Sequence, residues 1–108
     1  MTPDFDRSEK VKAILSDEIS YWQKRKAEAV GDEVVKIRGA IEFLMMKSGK
    51  PETITAEALR EEFKLQKVRA GTAEFKDREF DLIARNRAVK ICEAVIRLGK
   101  IIVSLDGK

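Results

Sequence analysis

An all-α domain is the fold class that this sequence predicts. Three observations carry the expectation. Apolar residues recur at three- and four-residue intervals over long stretches. Only 2 prolines and 6 glycines interrupt the 108 residues. A hydrophobic share of 44% beside 38% charged residues is the balance of a helix-rich folded chain, not of a disordered one. The expected architecture is an N-terminal antiparallel helical hairpin, a short third helix and a long C-terminal helix, with a short β-strand as an option at the C-terminus. A chain of this length supports one modest core, so 1–108 is read as a single helical domain. Its parts are a hairpin over 6–48, a break at 49–54, a short helix over 55–67, a long helix over 73–98 and a tail at 99–108.

The first helix opens on Asp6-x-x-Glu9, a capping-box pattern. Val11, Ile14, Leu15, Ile19, Trp22 and Ala29 then form one apolar stripe. Gly31 suits a helix C-cap and Asp32 the cap of the next helix. That second helix carries Val34, Ile37, Ile41, Leu44 and Met45 on one face, and the short break before it predicts an antiparallel return. Gly49, Lys50 and Pro51 break the chain again. Thr53-Ile54-Thr55 is β-branched, so a short strand is one option, and Thr55 is a good N-cap for a third helix with Leu59 and Phe63 inward. Ala70-Gly71-Thr72 marks the next break.

The last helix carries two apolar lines. Ala84, Ala88, Ile91, Val95, Leu98 and Ile102 form one, and Phe75, Leu82, Val89, Ile96 and Val103 the other, the second spaced in multiples of seven. At about 100° per residue the lines lie roughly 120° apart. So wide an apolar arc belongs either in the middle of the core or under another subunit. A homo-oligomer is therefore expected, with Leu82, Val89, Ile96 and Val103 as its candidate interface. Gly99 offers an end to the helix, and Ile101-Ile102-Val103 prefer a strand whose one internal candidate partner is Thr53-Ile54-Thr55.

The chemistry available is narrow. With 0 histidines the commonest general base and the commonest metal ligand are missing, and Cys92 is the single cysteine. Dinucleotide and phosphate-loop glycine motifs do not occur. The carboxylate neighbours Asp17-Glu18 and Glu61-Glu62 diverge by about 100° on a helix and read as solvated face. No enzyme, cofactor or metal is expected, and Cys92 reads as a small core residue. Met45-Met46 reads as gap-filling in the core. With no apolar opening run and no stretch of membrane-spanning length, a cytoplasmic location and no membrane partner are expected.

A net charge of +3 permits anionic partners without demanding them, and 6% aromatic residues are few for stacking bases. The distribution says more. Arg78, Arg85, Arg87, Lys90 and Arg97 lie along the last helix, with Lys24, Arg25 and Lys26 on the first, and together they are the candidate anion-binding set. Each has a second reading. Glu74 and Asp81 precede Arg78 and Arg85 by four residues, the favoured order for helical ion pairs. Trp22 anchors the core while the three bases after it complement the helix C-terminus.

Thr55-Ala56-Glu57-Ala58-Leu59-Arg60-Glu61-Glu62-Phe63 resembles the second helix of winged helix-turn-helix regulators, and Leu65 fits the apolar position of the turn. The resemblance covers about eleven residues and implies a first helix at Ile41–Leu44 and a stunted wing at Ile101–Val103. Beyond it the chain departs from the pattern at Lys64, and Ala70, Gly71 and Glu74 stand where a recognition helix inserts apolar residues. The stretch is read as a capped helix and not as a DNA reader.

The function expected from these residues is a small non-enzymatic helical protein-interaction module acting as an oligomer. An adaptor, an assembly factor or an inhibitor of the kind bacteriophages use against host factors would have this character. A protein partner comes first. The alternative is an anion-binding module that grips nucleic acid or a nucleotide ligand through the basic face of the long helix.

Overall fold

The computed structural model describes residues 3–71 and 78–107, with side chains from residue 6 and, in the last helix, from residue 85. The described residues form four α-helices and no strand: α1 (Pro3–Glu28), α2 (Asp32–Ser48), α3 (Ala56–Gly71) and α4 (Arg78–Leu105), with a 3-10 turn at Pro51–Thr53. Residues 72–77 between α3 and α4 lie outside the description, as does the start expected for the long helix at residue 73.

α1 and α2 make the expected antiparallel hairpin. Arg7, near the start of α1, donates to the carbonyl of Ile54 at 2.8 Å, just beyond the end of α2. The turn between them is Gly31, whose φ of 63° is a conformation glycine adopts without the clash of a Cβ. α4 packs against all three other helices. At 28 residues it is about 42 Å long, close to the 50 Å long axis of the molecule. It runs antiparallel to α1, as ion pairs of Asp106 with Arg7, Arg97 with Glu18 and Glu93 with Arg25 mark in sequence.

The core gathers Val11, Leu15 and Trp22 from α1 with Ile37, Ile41 and Leu44 from α2. Ile54, Leu59 of α3, and Val95, Leu98 and Ile102 of α4 complete it. Gly39 lets α2 and α4 approach closely. A Cβ built there would sit 3.0 Å from the Cβ of Arg87.

Several sequence expectations change. The C-terminal tail is helix to Leu105 and not a strand, and Gly99 lies inside α4. Leu98 and Ile102, one turn apart, are both 0% exposed. Burying such a side chain is worth about 1.5–3 kcal/mol, whereas the helix penalty of a β-branched residue is below about 0.7 kcal/mol. Packing therefore overrides the local preference. Thr53-Ile54-Thr55 is likewise no strand: Ile54 is buried, and Thr55 caps α3, its Oγ1 accepting from Ala58 N–H at 3.0 Å. α3 continues unbroken through Lys64 to Gly71, so neither the turn nor the wing of a helix-turn-helix forms here. α1 begins at Pro3, which places Asp6 inside its first turns and not at the cap. Met45 and Met46 are exposed and do not fill the core. No helix among the described residues is long and apolar enough to cross a membrane.

Candidate functional site

The surface that stands out is the seam where α3 and α4 run antiparallel. From α3, Ala56, Leu59 and Phe63 line one wall, at successive turns of the helix. From α4, Val95, Ile96, Gly99 and Val103 line the other. Between them is an open groove of about 470 Å³. Leu59 and Val95 are buried at its floor, while Ile96 and Val103 remain 45% and 39% exposed on its lip. Gly99 keeps the wall low, since a Cβ there would meet nothing within 4 Å.

Val89, at 49% exposure, extends the lip in the same line. Val89, Ile96 and Val103 are thus the visible part of the seven-residue stripe seen in the sequence, and all three point outward together. Phe75 and Glu74 lie outside the described residues, as do the side chains of Leu82, the fourth interface candidate, and of Arg78 and Asp81.

Four of the candidate anion-binding bases, Arg25, Arg87, Lys90 and Arg97, hold carboxylates inside the helix bundle. Arg97 forks onto Glu18 at 3.0 and 3.2 Å. Arg25 pairs with Glu93, and Arg87 with Glu42. Lys90 lies 3.4 Å from Glu33 and 3.8 Å from Glu93. The hydrogen bond that Arg25 donates to Glu93, with the charge of Glu93, raises the pKa of Arg25 above the ordinary guanidinium value, and Glu18 does the same for Arg97. Lys36, by hydrogen bonding, and Lys90, by its charge, lower the pKa of Glu33. Lys24 is exposed and Lys26 half-buried at the end of α1, and neither has an ion-pair partner among the described residues.

The aromatic residues join this internal network. The Arg97 guanidinium lies 3.6 Å from the centroid of the Tyr21 ring, and that of Arg25 lies 4.5 Å from the Trp22 ring. Tyr21 and Trp22 meet edge to face at 5.5 Å. Trp22 is the core anchor expected, with its indole N–H buried and without a hydrogen-bond partner among the described residues. Arg25, read from sequence as an anion-binding candidate or a base complementing the helix C-terminus, spans from Trp22 to Glu93.

A different set of bases lies at the groove or beyond its end, and of these Arg85 alone belongs to the candidate set. Arg60 and Lys100 line the groove and are its only charged lining residues among the described ones. Lys67 lies one heptad beyond Arg60 on α3, close enough to Cys92 of α4 for its charge to act on the thiol. Arg85 lies one heptad before Cys92 on α4 and is exposed. None of Arg60, Lys67, Arg85 and Lys100 has an ion-pair partner among the described residues. Arg60, Lys67 and Lys100 were outside the candidate set read from sequence. Their signal was the seven-residue spacing of Arg60 and Lys67 beside the Leu59-Phe63 stripe, legible only once α3 is placed on α4. Cys92 is half-buried and not core, and desolvation raises its pKa despite Lys67.

No protein-family model, curated protein or solved structure matches this chain.

Proposed function

We propose that this chain is a non-enzymatic helical interaction module of the cytoplasm, docking a partner protein along the α3/α4 groove. The observation that carries the reading is the outward stripe Val89, Ile96 and Val103 beside an apolar groove of about 470 Å³. Contiguous apolar surface rimmed by polar residues is how docking sites differ from the rest of a soluble protein's surface. Covering the remaining exposure of these three side chains contributes about 1 kcal/mol each, which is substantial for one edge of an interface. Helix-in-groove docking uses this geometry, with anchors at i, i+3 or i+4, and i+7.

The internal pairing of Arg25, Arg87, Lys90 and Arg97 supports this reading over nucleic-acid or nucleotide binding by the candidate set. A phosphate would have to displace a carboxylate at each of these positions. Reversal of Arg85 and Lys90 to Glu tests that alternative: loss of oligonucleotide binding by a folded variant would favour it.

The docking reading is tested with a photo-crosslinking amino acid placed at Ile96 and, as a control, at exposed Val30 on the α1–α2 turn. The expected result is a discrete adduct at position 96 that disappears on Val103→Asp while the circular dichroism spectrum is kept. An adduct of twice the chain mass identifies the partner as a second copy. Equal crosslinking at both positions, or none at 96, refutes the reading.

A further inference from the structure

We infer that the occupant of the α3/α4 groove is an amphipathic helix of another protein, its apolar stripe flanked by acidic side chains. This rests on the docking reading and adds the chemistry of the partner.

Charge is sorted by face on α4. Toward α1 and α2 its bases each meet a carboxylate, at Glu18, Glu33, Glu42 or Glu93. Toward the groove Arg60 and Lys100 line the rim, Lys67 and Arg85 lie further along α3 and α4, and no acid lines the groove among the described residues. A fold that neutralises its cations internally on one side leaves a single-sign rim around apolar surface on the other. Such a rim attracts negative groups and repels positive ones, which sets partner choice and register more than raw affinity. The apolar lip then selects against a bare polyanion, because phosphates have no use for Ile96 and Val103.

The same charges argue against a second copy. Symmetric docking of this face on itself would bring Arg60 and Lys100 against like charges, a costly juxtaposition. The stripe from Val89 to Val103 spans roughly 21 Å, the length of about fourteen helical residues. A partner helix of four turns matches it.

Two synthetic helices of about fourteen residues test the inference. Both carry Leu at i, i+3, i+7 and i+10, one with Glu and the other with Lys on the flanks, and binding is followed by fluorescence anisotropy. The Glu-flanked helix is expected to bind about tenfold tighter at low salt, a preference that shrinks as salt is added. In the Arg60→Glu, Lys100→Glu double variant the preference should reverse. Ile96→Asp should abolish binding of both helices with the fold intact by circular dichroism. Equal binding of the two helices through Ile96 overturns the acidic flank and leaves the docking reading standing. Failure of both to bind overturns the inference, and the crosslinking at position 96 then decides separately whether docking survives. A dimer by sedimentation that Ile96→Asp dissolves assigns the groove to a second copy and also overturns it.

Discussion

Arg97 of α4 grips Glu18 of α1 with two hydrogen bonds, at 3.0 and 3.2 Å, across 79 residues of sequence. Glu18 is only 5% exposed, and the same guanidinium lies over the Tyr21 ring. Removing Arg97 strands a carboxylate away from water. A fully buried pair broken in this way costs about 3–5 kcal/mol, but Arg97 is partly exposed and water softens the loss. Arg97→Ala is expected to cost about 2 kcal/mol in urea unfolding. Arg97→Lys should recover only part, because an ammonium neither forks onto the carboxylate nor stacks on the ring. A loss below about 0.5 kcal/mol for the alanine variant would show the pair to be a surface contact.

Two mid-helix glycines should respond with opposite signs to the same substitution. Alanine is favoured over glycine in a helix by up to about 1 kcal/mol. At Gly99 a Cβ meets nothing within 4 Å, so Gly99→Ala should stabilise by about 0.5–1 kcal/mol. At Gly39 the Cβ would press on Arg87 Cβ at 3.0 Å and Cγ at 3.1 Å, where α2 and α4 cross. Overpacking there should outweigh propensity, and Gly39→Ala should destabilise by about 1 kcal/mol. Thermal unfolding of both variants decides, and stabilisation at both sites would mean that the crossing has slack.

Helix existence was legible in the sequence because long stretches repeat at helical spacing. The stripe of α1 from Val11 to Trp22 and the α4 line through Val95, Leu98 and Ile102 are both core. What the sequence misstates is local preference. Ile101-Ile102-Val103 prefers a strand in isolation, and only the core beneath Ile102 makes it helical. The outward stripe of Val89, Ile96 and Val103 was half-legible: its spacing is visible in the sequence, its exposure is not. The charge pattern was least legible, since Glu18 with Arg97, Glu42 with Arg87 and Glu93 with Arg25 pair across helices far apart in sequence. Intrahelical spacing describes none of these, and it is these pairs that separate the neutralised face of α4 from its open one.

Glu33 should titrate below the ordinary range of a glutamate carboxyl. Lys36 donates to it at 3.3 Å and Lys90 lies 3.4 Å away. Both lower its pKa, so the favourable charge is present above the ordinary carboxylate range and is lost as pH falls through the depressed value. Lys90→Ala should move the Glu33 midpoint upward, read from its side-chain carboxyl resonance. An unmoved midpoint would leave Lys36 alone responsible.

Cys92 offers a chemical probe of the groove end. Half-buried on α4, its thiol is raised above the usual value by desolvation, while Lys67 pulls in the other direction. The thiolate is the reacting species, so alkylation at neutral pH should be slower than for an unhindered thiol and should accelerate as pH climbs through the raised pKa. Lys67→Glu removes the opposing cation and adds a like charge, and should slow alkylation further at fixed pH. Lys24→Glu, at the end of α1, should leave the rate unchanged. The comparison separates charge from access: if slow reaction reflected steric cover alone, the Lys67 variant would keep the pH midpoint of the parent chain. A shifted midpoint with the Lys67 variant alone places that lysine over the thiol, at the end of the rim formed by Arg60 and Lys100.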